Sequence, residues 1–378
     1  MNKSIRELVP DYIRELAPYV PGRPIEEVER ELKTTAIKLA SNENPLGPSA
    51  LAIEAARKAL AGSNRYPDGS GFYLREALSK KHAIPAENII LGGGSTELID
   101  LSARLVLRPA DCGVTSYGSF PLYYIAIRAT GARYVEVPQH DYQFDLDAMT
   151  EFLPPETKLV FLANPNNPTG TMFDADALDG FLEQIPDHVL VVLDEAYCDY
   201  VDHPNYSRSI ELVRRGRNMI VLRTFSKVYG LAGLRIGYGI GPAELLDEMN
   251  KIRGPFNTSN VAQAAALAAL DDAQHVRHSV DTNRSGLKQL YAGFGELGIK
   301  YVPSFANFVL VDFGFETEAI SDEMLQRGVI VRPMRWMGLP NCIRVSVGAR
   351  AENEKFLQLL AELHAPAHSV SHKSQKHL

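Results

Sequence analysis

The sequence predicts an α/β chain, with a large domain whose mainly parallel sheet is flanked by helices and a smaller α+β domain. Three observations predict it. Short, continuous apolar runs occur at KLVFLAN (158–164), HVLVVLDEAY (188–197) and NMIVLRTFS (218–226). Runs of that length, rich in Val, Ile and Leu and without polar alternation, read as strands covered on both faces. Helical patterns such as ALAIEAARKALAG (50–62) and STELIDLSARLVL (95–107) are interleaved with short strands, and a strand–helix alternation makes neighbouring strands parallel. From about residue 260 the texture changes: VAQAAALAAL is strongly helical, and strand patterns follow in GELGIKYVPS, NFVLVDF, GVIVRP and CIRVSVG.

The 378 residues exceed what one hydrophobic core usually serves. The expected division is an N-terminal arm with part of the small domain (1–40), a large domain (41–275), a small C-terminal domain (276–365) and a disordered tail (366–378). A net charge of −7, with no Lys/Arg-rich block, opposes a nucleic-acid surface but leaves room for a local cationic pocket. Cys112, Cys198 and Cys342 are far apart and odd in number, so neither a disulfide framework nor a zinc ligand set is expected, and no other metal site is. The N-terminus carries charges every few residues, and no apolar run is long enough to span a bilayer, so a soluble cytoplasmic protein without membrane partners is expected.

In open α/β sheets ligands gather outside the carboxyl ends of the strands. Three unusual segments fall there: Asn164-Pro-Asn-Asn-Pro-Thr-Gly170 after the first apolar run, Asp194-Glu-Ala-Tyr197 after the second, and Lys227 after the third. Singly, each has a plain structural explanation: a turn rich in Asn and Pro, a strand cap, a solvated loop lysine. Together they make one chemical device. A lysine amine condenses with an aldehyde cofactor as a Schiff base, and a carboxylate facing a pyridine nitrogen keeps that nitrogen protonated, which turns the ring into an electron sink. Pyridoxal phosphate requires both. Lys227 supplies the amine and then the general acid/base, Asp194 the pyridinium partner, and Asn167 and Tyr197 donors to the phenolic oxygen.

The cofactor phosphate needs a cradle. LGGGSTELID (91–100) is a glycine-rich turn entering a helix, so amides near Gly94, Ser95 and Thr96 can face an anion with the helix dipole behind them. Thr224, Ser226 and Arg235 add hydroxyl and guanidinium donors. A dinucleotide fingerprint is the weaker reading, because Glu97 stands where its third glycine belongs.

Taken together, SKVYGLAGLRIGYG, ANPNNPTG, VVLDEAY, ASNENPLGPS and NRYPDGSG resemble the class I/II aminotransferases of fold type I, and within them the histidinol-phosphate aminotransferases, from about Leu8 to Leu363. The resemblance implies that Lys227 carries the cofactor, that Asp194 meets its ring nitrogen, that Asn167 and Tyr197 meet its ring oxygen, and that Tyr117 in TSYGSF stacks on the ring. It implies Ser95, Thr96, Thr224, Ser226 and Arg235 at the phosphate, joined by Tyr66 of a neighbouring subunit, and hence a homodimer with shared sites. The reaction implied is ping-pong amino transfer between histidinol phosphate and 2-oxoglutarate, giving imidazole acetol phosphate and glutamate, in histidine biosynthesis.

NCIRVSVG alternates apolar Ile343, Val345 and Val347 with Arg344 and Ser346, which puts Arg344 on the face opposite the apolar residues. The resemblance makes Arg344 the carboxylate binder for 2-oxoglutarate; histidinol phosphate lacks that carboxylate, and its phosphate is the natural alternative anion for the same pocket, with Arg332, Arg335 and Tyr19 as candidates to help. Asn42, a candidate substrate contact, and Glu43 lie in a segment similar to the one that covers the site in that family. Rival readings use the same machinery: an aromatic amino-acid aminotransferase, for which Tyr123, Tyr124, Phe256 and Trp336 offer apolar surface, or a phosphothreonine-type decarboxylase, which would release carbon dioxide. A regulatory cofactor-binding domain is disfavoured by the lack of a basic helix-turn-helix segment.

Overall fold

The computed structural model describes residues 5–371. Strand β1 (Ile37–Lys38) comes first. Seven strands of one sheet follow: β2 (Ile89–Gly92), β3 (Cys112–Ser116), β4 (Arg133–Val137), β5 (Thr157–Ala163), β6 (Leu190–Asp194), β7 (Met219–Thr224) and β8 (Gly237–Ile240). Last come β9 (Lys300–Val302), β10 (Phe308–Asp312), β11 (Val329–Ile330), β12 (Arg332–Met334) and β13 (Leu339–Ser346).

The large sheet runs in the order β2-β8-β7-β6-β5-β3-β4. Only β8 is antiparallel to its neighbours, β2 and β7. Every residue of β6 is buried, as its unbroken LVVLD pattern requires, because helices cover both faces. The three apolar runs read from the sequence are β5, β6 and β7. Strands β2, β3, β4 and β8 were not legible in the same way, since they are short and dilute their apolar residues with Gly, Thr, Ser, Arg and Glu, which lowers the strand signal.

The register aligns the strand ends. Ala163 of β5 lies opposite Asp194 of β6, and Asp194 opposite Leu222 of β7. The segments following these strands therefore emerge along one edge. Because β8 runs the other way, its first residue, Gly237, pairs with the last residue of β7, Thr224. One reversed strand thus brings the preceding Arg235 to the edge where the parallel strands end.

The second sheet is antiparallel, in the order β12-β13-β10-β9. It packs one face on a core that includes Phe294 from the helix Ala273–Glu296 and Phe356 and Leu360 from the helix Arg350–Ser371. The helix Asn260–Asp271, where the sequence changes texture, sends Ala262, Ala265, Ala266 and Ala269 into the core of the large sheet. The N-terminal segment pairs β1 with β11 in parallel, and the next residue, Leu39, accepts the N–H of Ser346 in β13. The end of the chain departs from expectation. Residues 366–371, read as the start of a tail, continue the backbone of the last helix, since an anchored helix extends by one hydrogen bond per residue. Residues 372–378 lie outside the described residues. Among the described residues no helix is long and apolar enough to cross a membrane.

Candidate active site

The turns after β5, β6 and β7, the turn between β2 and the helix Ser95–Val106, and the β13 face opposite its core line one cavity. Asp194, the last residue of β6, is 6% exposed there. Its Oδ1 accepts from the Ala196 N–H at 3.1 Å and its Oδ2 from the Tyr123 hydroxyl at 2.9 Å. Burial pushes the carboxyl up to about 6, while those two donors and the positive charge of Lys227 pull against the rise. Lys227 lies on the same cavity, its Nζ 5.4 Å from the centre of the Tyr197 ring. Burial, followed by the Arg344 and Arg235 guanidinium groups, pushes its ammonium down to about 8. About a tenth of the side chain is then a free amine near neutrality, the form a nucleophile or a base requires.

The opposite need, a place for an anion, is met between two glycines. Gly94 caps the helix Ser95–Val106 at φ 78° with no side chain bonded to its first turn, leaving the N–H groups of that turn open. Beside them Thr224 Oγ1 and Ser226 Oγ sit 2.8 Å apart, and Arg235 reaches Ser226 Oγ at 3.5 Å and the Gly93 carbonyl at 3.3 Å. A Cβ on Gly94 would run into the Arg235 guanidinium. A Cβ on Gly237 would meet the Ser95 N at 2.7 Å, so glycine there is what lets the helix terminus seat against β8.

On the small-sheet side, Arg344 is 8% exposed and donates to Asn167 Oδ1 at 2.5 Å and to the Ala40 carbonyl at 2.7 Å. Its Nε is buried with no partner among the described residues, an orphan donor that an incoming oxyanion would satisfy. The apolar Ile343, Val345 and Val347 point the other way into the core, as the alternation predicts. Arg332, also 8% exposed, donates to the Val20 carbonyl and lies 4.7 Å from the Trp336 ring centre and 5.9 Å from that of Tyr19.

The cavity thus gathers Lys227, Asp194, Asn167 and Tyr197; Ser95, Thr96, Thr224, Ser226 and Arg235; and Arg344, Arg332, Tyr19 and Asn42. Three sequence candidates lie outside its wall. Arg335 is about half exposed and pairs with Glu316 at 2.5 Å and Glu318 at 3.2 Å, carboxylates from the start of the helix Glu318–Gln326 and its approach. Tyr117 is tied by its hydroxyl to the Gly338 carbonyl at 3.0 Å, in the turn between β12 and β13. Tyr66 is 81% exposed and stacks on Phe256 at 4.7 Å, away from the cavity of its own chain.

Sequence reasoning missed three partners. Tyr123, stacked on Phe161 at 4.7 Å, was read only as apolar surface. Ser346 bonds Asn42 across 304 positions. Glu195, fully buried beside Asp194, pairs with Arg223 of β7 at 2.7 Å. The one available signal was the Asp194-Glu195 doublet, since two adjacent carboxylates at a buried strand end require separate partners.

The donor set fits pyridoxal phosphate: a buried carboxylate for a pyridinium nitrogen, a depressed lysine for an aldehyde, and an open helix terminus with Arg235 for a phosphate. Comparison with known proteins agrees. The family described as aminotransferase class I and II matches residues 34–363. The chain is 48% identical to histidinol-phosphate aminotransferase 1 of Nitrosococcus oceani, over 92% of this chain and 94% of that protein. It is 48% identical to the histidinol-phosphate aminotransferase of Moorella thermoacetica, over 93% and 92% respectively. The crystal structure of histidinol-phosphate aminotransferase from Sinorhizobium meliloti in complex with pyridoxal-5'-phosphate superposes with a TM-score of 0.87 at 31% identity, covering 94% of this chain and 97% of that one.

Proposed function

Because this chain belongs to the class I and II aminotransferases, we propose that its cavity exchanges the amino group of histidinol phosphate for the keto oxygen of 2-oxoglutarate, releasing imidazole acetol phosphate and glutamate. The observation that carries this reading is that one cavity joins the depressed Lys227, the buried Asp194 and an anion cradle at Arg235 to two further buried arginines, Arg332 and Arg344. Two more anions than the cofactor phosphate therefore have places to go.

Pyridoxal phosphate, when bound, supplies an aldehyde that takes up the amine and a ring that stores the electron pair left at Cα. The side chains do the rest. The first-turn amides of the helix Ser95–Val106, with Thr224, Ser226 and Arg235, hold the phosphate. Asp194 keeps a proton on the ring nitrogen. Lys227, uncharged, takes the proton from the substrate Cα and returns one to the cofactor carbon. Arg344 takes the α-carboxylate of 2-oxoglutarate or glutamate, with its orphan Nε as an added donor. Histidinol phosphate has no such carboxylate, and its phosphate goes to Arg332 and Tyr19. The two substrates occupy the cavity in turn, and within histidine biosynthesis the exchange runs from glutamate toward histidinol phosphate.

Exposed Tyr66, Phe72, Tyr73 and Phe256, with Leu51 and Leu60, form the surface we assign to a homodimer, in which Tyr66 reaches the partner's cofactor phosphate. The three cysteines are free, which suits a reducing cytoplasm. The reading is tested by a half-reaction. The protein is loaded with pyridoxal phosphate and given histidinol phosphate without keto acid, beside phenylalanine and phosphothreonine, and the visible cofactor band is followed. Fast loss of the band with histidinol phosphate supports the reading; faster loss with phenylalanine, or carbon dioxide from phosphothreonine, overturns it.

A further inference from the structure

Asn42 is 1% exposed and holds a left-handed φ of 54°, a conformation asparagine tolerates better than most residues. It makes a closed pair with Ser346. The Asn42 N–H donates to Ser346 Oγ at 2.8 Å, and the Ser346 hydroxyl donates back to Asn42 Oδ1 at 2.9 Å. The Asn42 carbonyl is taken by Asn307 Nδ2 at 3.0 Å. The amide is oriented with Oδ1 toward the Ser346 hydroxyl, which donates to it, and Nδ2 toward Tyr197, donating to its Oη at 2.9 Å.

Tyr197 is 5% exposed and lines the cavity with Asn42. The edge of Phe308 closes one side of its ring at 5.2 Å, and Lys227, Asp194 and Arg344 are the charged groups nearest it. With a lone pair of Oη occupied by Asn42, the hydroxyl hydrogen of Tyr197 is left for an acceptor inside the cavity. We propose that Asn42 is a positioning residue which fixes Tyr197 as a hydrogen-bond donor toward the ionised ring oxygen of the cofactor, its own amide being locked by Ser346. The inference rests on the cofactor assignment above and replaces the reading of Asn42 as a substrate contact.

The test is the pH titration of the visible absorption of the pyridoxal-phosphate-loaded protein, whose midpoint reports the proton shared between the Lys227 nitrogen and the ionised ring oxygen. Removing a donor from an ionised oxygen raises its midpoint, by about one pH unit for a single buried hydrogen bond. Tyr197→Phe sets that reference shift. Asn42→Asp keeps the side-chain shape and tolerates the same φ but presents only acceptors, so the Tyr197 hydrogen turns toward it and the midpoint rises toward the Tyr197→Phe value. The double variant then titrates with Tyr197→Phe alone, because the second change removes nothing further. If Asn42→Asp stays at the wild-type midpoint while Tyr197→Phe shifts, the amide faces the other way and the inference falls. If its shift persists undiminished in the Tyr197→Phe background, the cause is added charge, and the inference falls equally. Should Asn42→Asp not fold, Asn42→Gly fits the φ and removes the donor: a smaller rise supports the inference and an unmoved midpoint overturns it. A wild-type protein without a Lys227-dependent visible band would instead overturn the cofactor assignment itself.

Discussion

The hydroxyl of Tyr123 lies 2.9 Å from Asp194 Oδ2, and both residues are buried at the wall of the cavity. Tyr123 is one of two donors that keep this carboxylate charged against its burial. Tyr123→Phe removes about 1–3 kcal/mol of hydrogen-bond support for the anion and raises the Asp194 pKa further above its present value. The acid limb of the pH–kcat profile should move upward and the cofactor should leave more readily near neutral pH. An unmoved acid limb would show that Tyr123 serves packing alone.

Asp194 also fixes how stability depends on pH. Its carboxyl stands at about 6, above the ordinary 3.8. A carboxyl whose folded pKa exceeds its unfolded one favours the fold at low pH, and its ionisation costs the cofactor-free protein stability as pH climbs from about 4 to about 6, up to about 2–3 kcal/mol above that window. Asp194→Asn should therefore stabilise the cofactor-free protein at about pH 7.5, lose that advantage near about pH 4, and be nearly inactive throughout. Urea midpoints at both pH values check the first two statements and an assay the third.

Lys227 is held down at about 8 from the ordinary 10.5. Its capture of pyridoxal phosphate, read from the growth of the visible band, should speed up with pH around a midpoint near about 8. Lys227→Ala should lose the lysine-dependent band and at least about a thousandfold in turnover. Turnover within about tenfold of wild type would remove Lys227 from the chemistry.

Arg344 offers a planar fork whose Nε has no partner among the described residues. Arg344→Lys keeps the charge but loses the fork, so KM for 2-oxoglutarate should rise about 10- to 100-fold, equivalent to about 1.4–2.7 kcal/mol, with cofactor affinity changing far less. An unchanged KM would place the carboxylate elsewhere.

Gly237 admits the terminus of the helix Ser95–Val106, where an added Cβ would lie 2.7 Å from the Ser95 N. Gly237→Ala should displace the phosphate cradle, weaken pyridoxal phosphate binding and cost about 1–3 kcal/mol by overpacking. Thermal melting with and without cofactor separates the effects: a lower melting point with undiminished stabilisation by cofactor would confine the damage to the fold.

The sequence by itself determined the parallel strands β5 to β7 and the chemistry at their carboxyl ends, because burial on both faces writes an unbroken apolar run and the next residues must leave the sheet. Asp194, Lys227 and the Asn164–Gly170 turn were legible for that reason, as was the outward face of Arg344, which alternation sets locally. Partner choice was not legible. Arg332 and Arg335 are three positions apart, yet one sits among Tyr19, Trp336 and the Val20 carbonyl while the other goes to Glu316 and Glu318, after a break in strand register between Pro333 and Met334. Asn42 meets Tyr197 across 155 positions and Ser346 across 304. Local patterns fix which face a side chain takes, because backbone periodicity is local; which group waits on that face depends on how distant segments pack, and only the tertiary structure decided that.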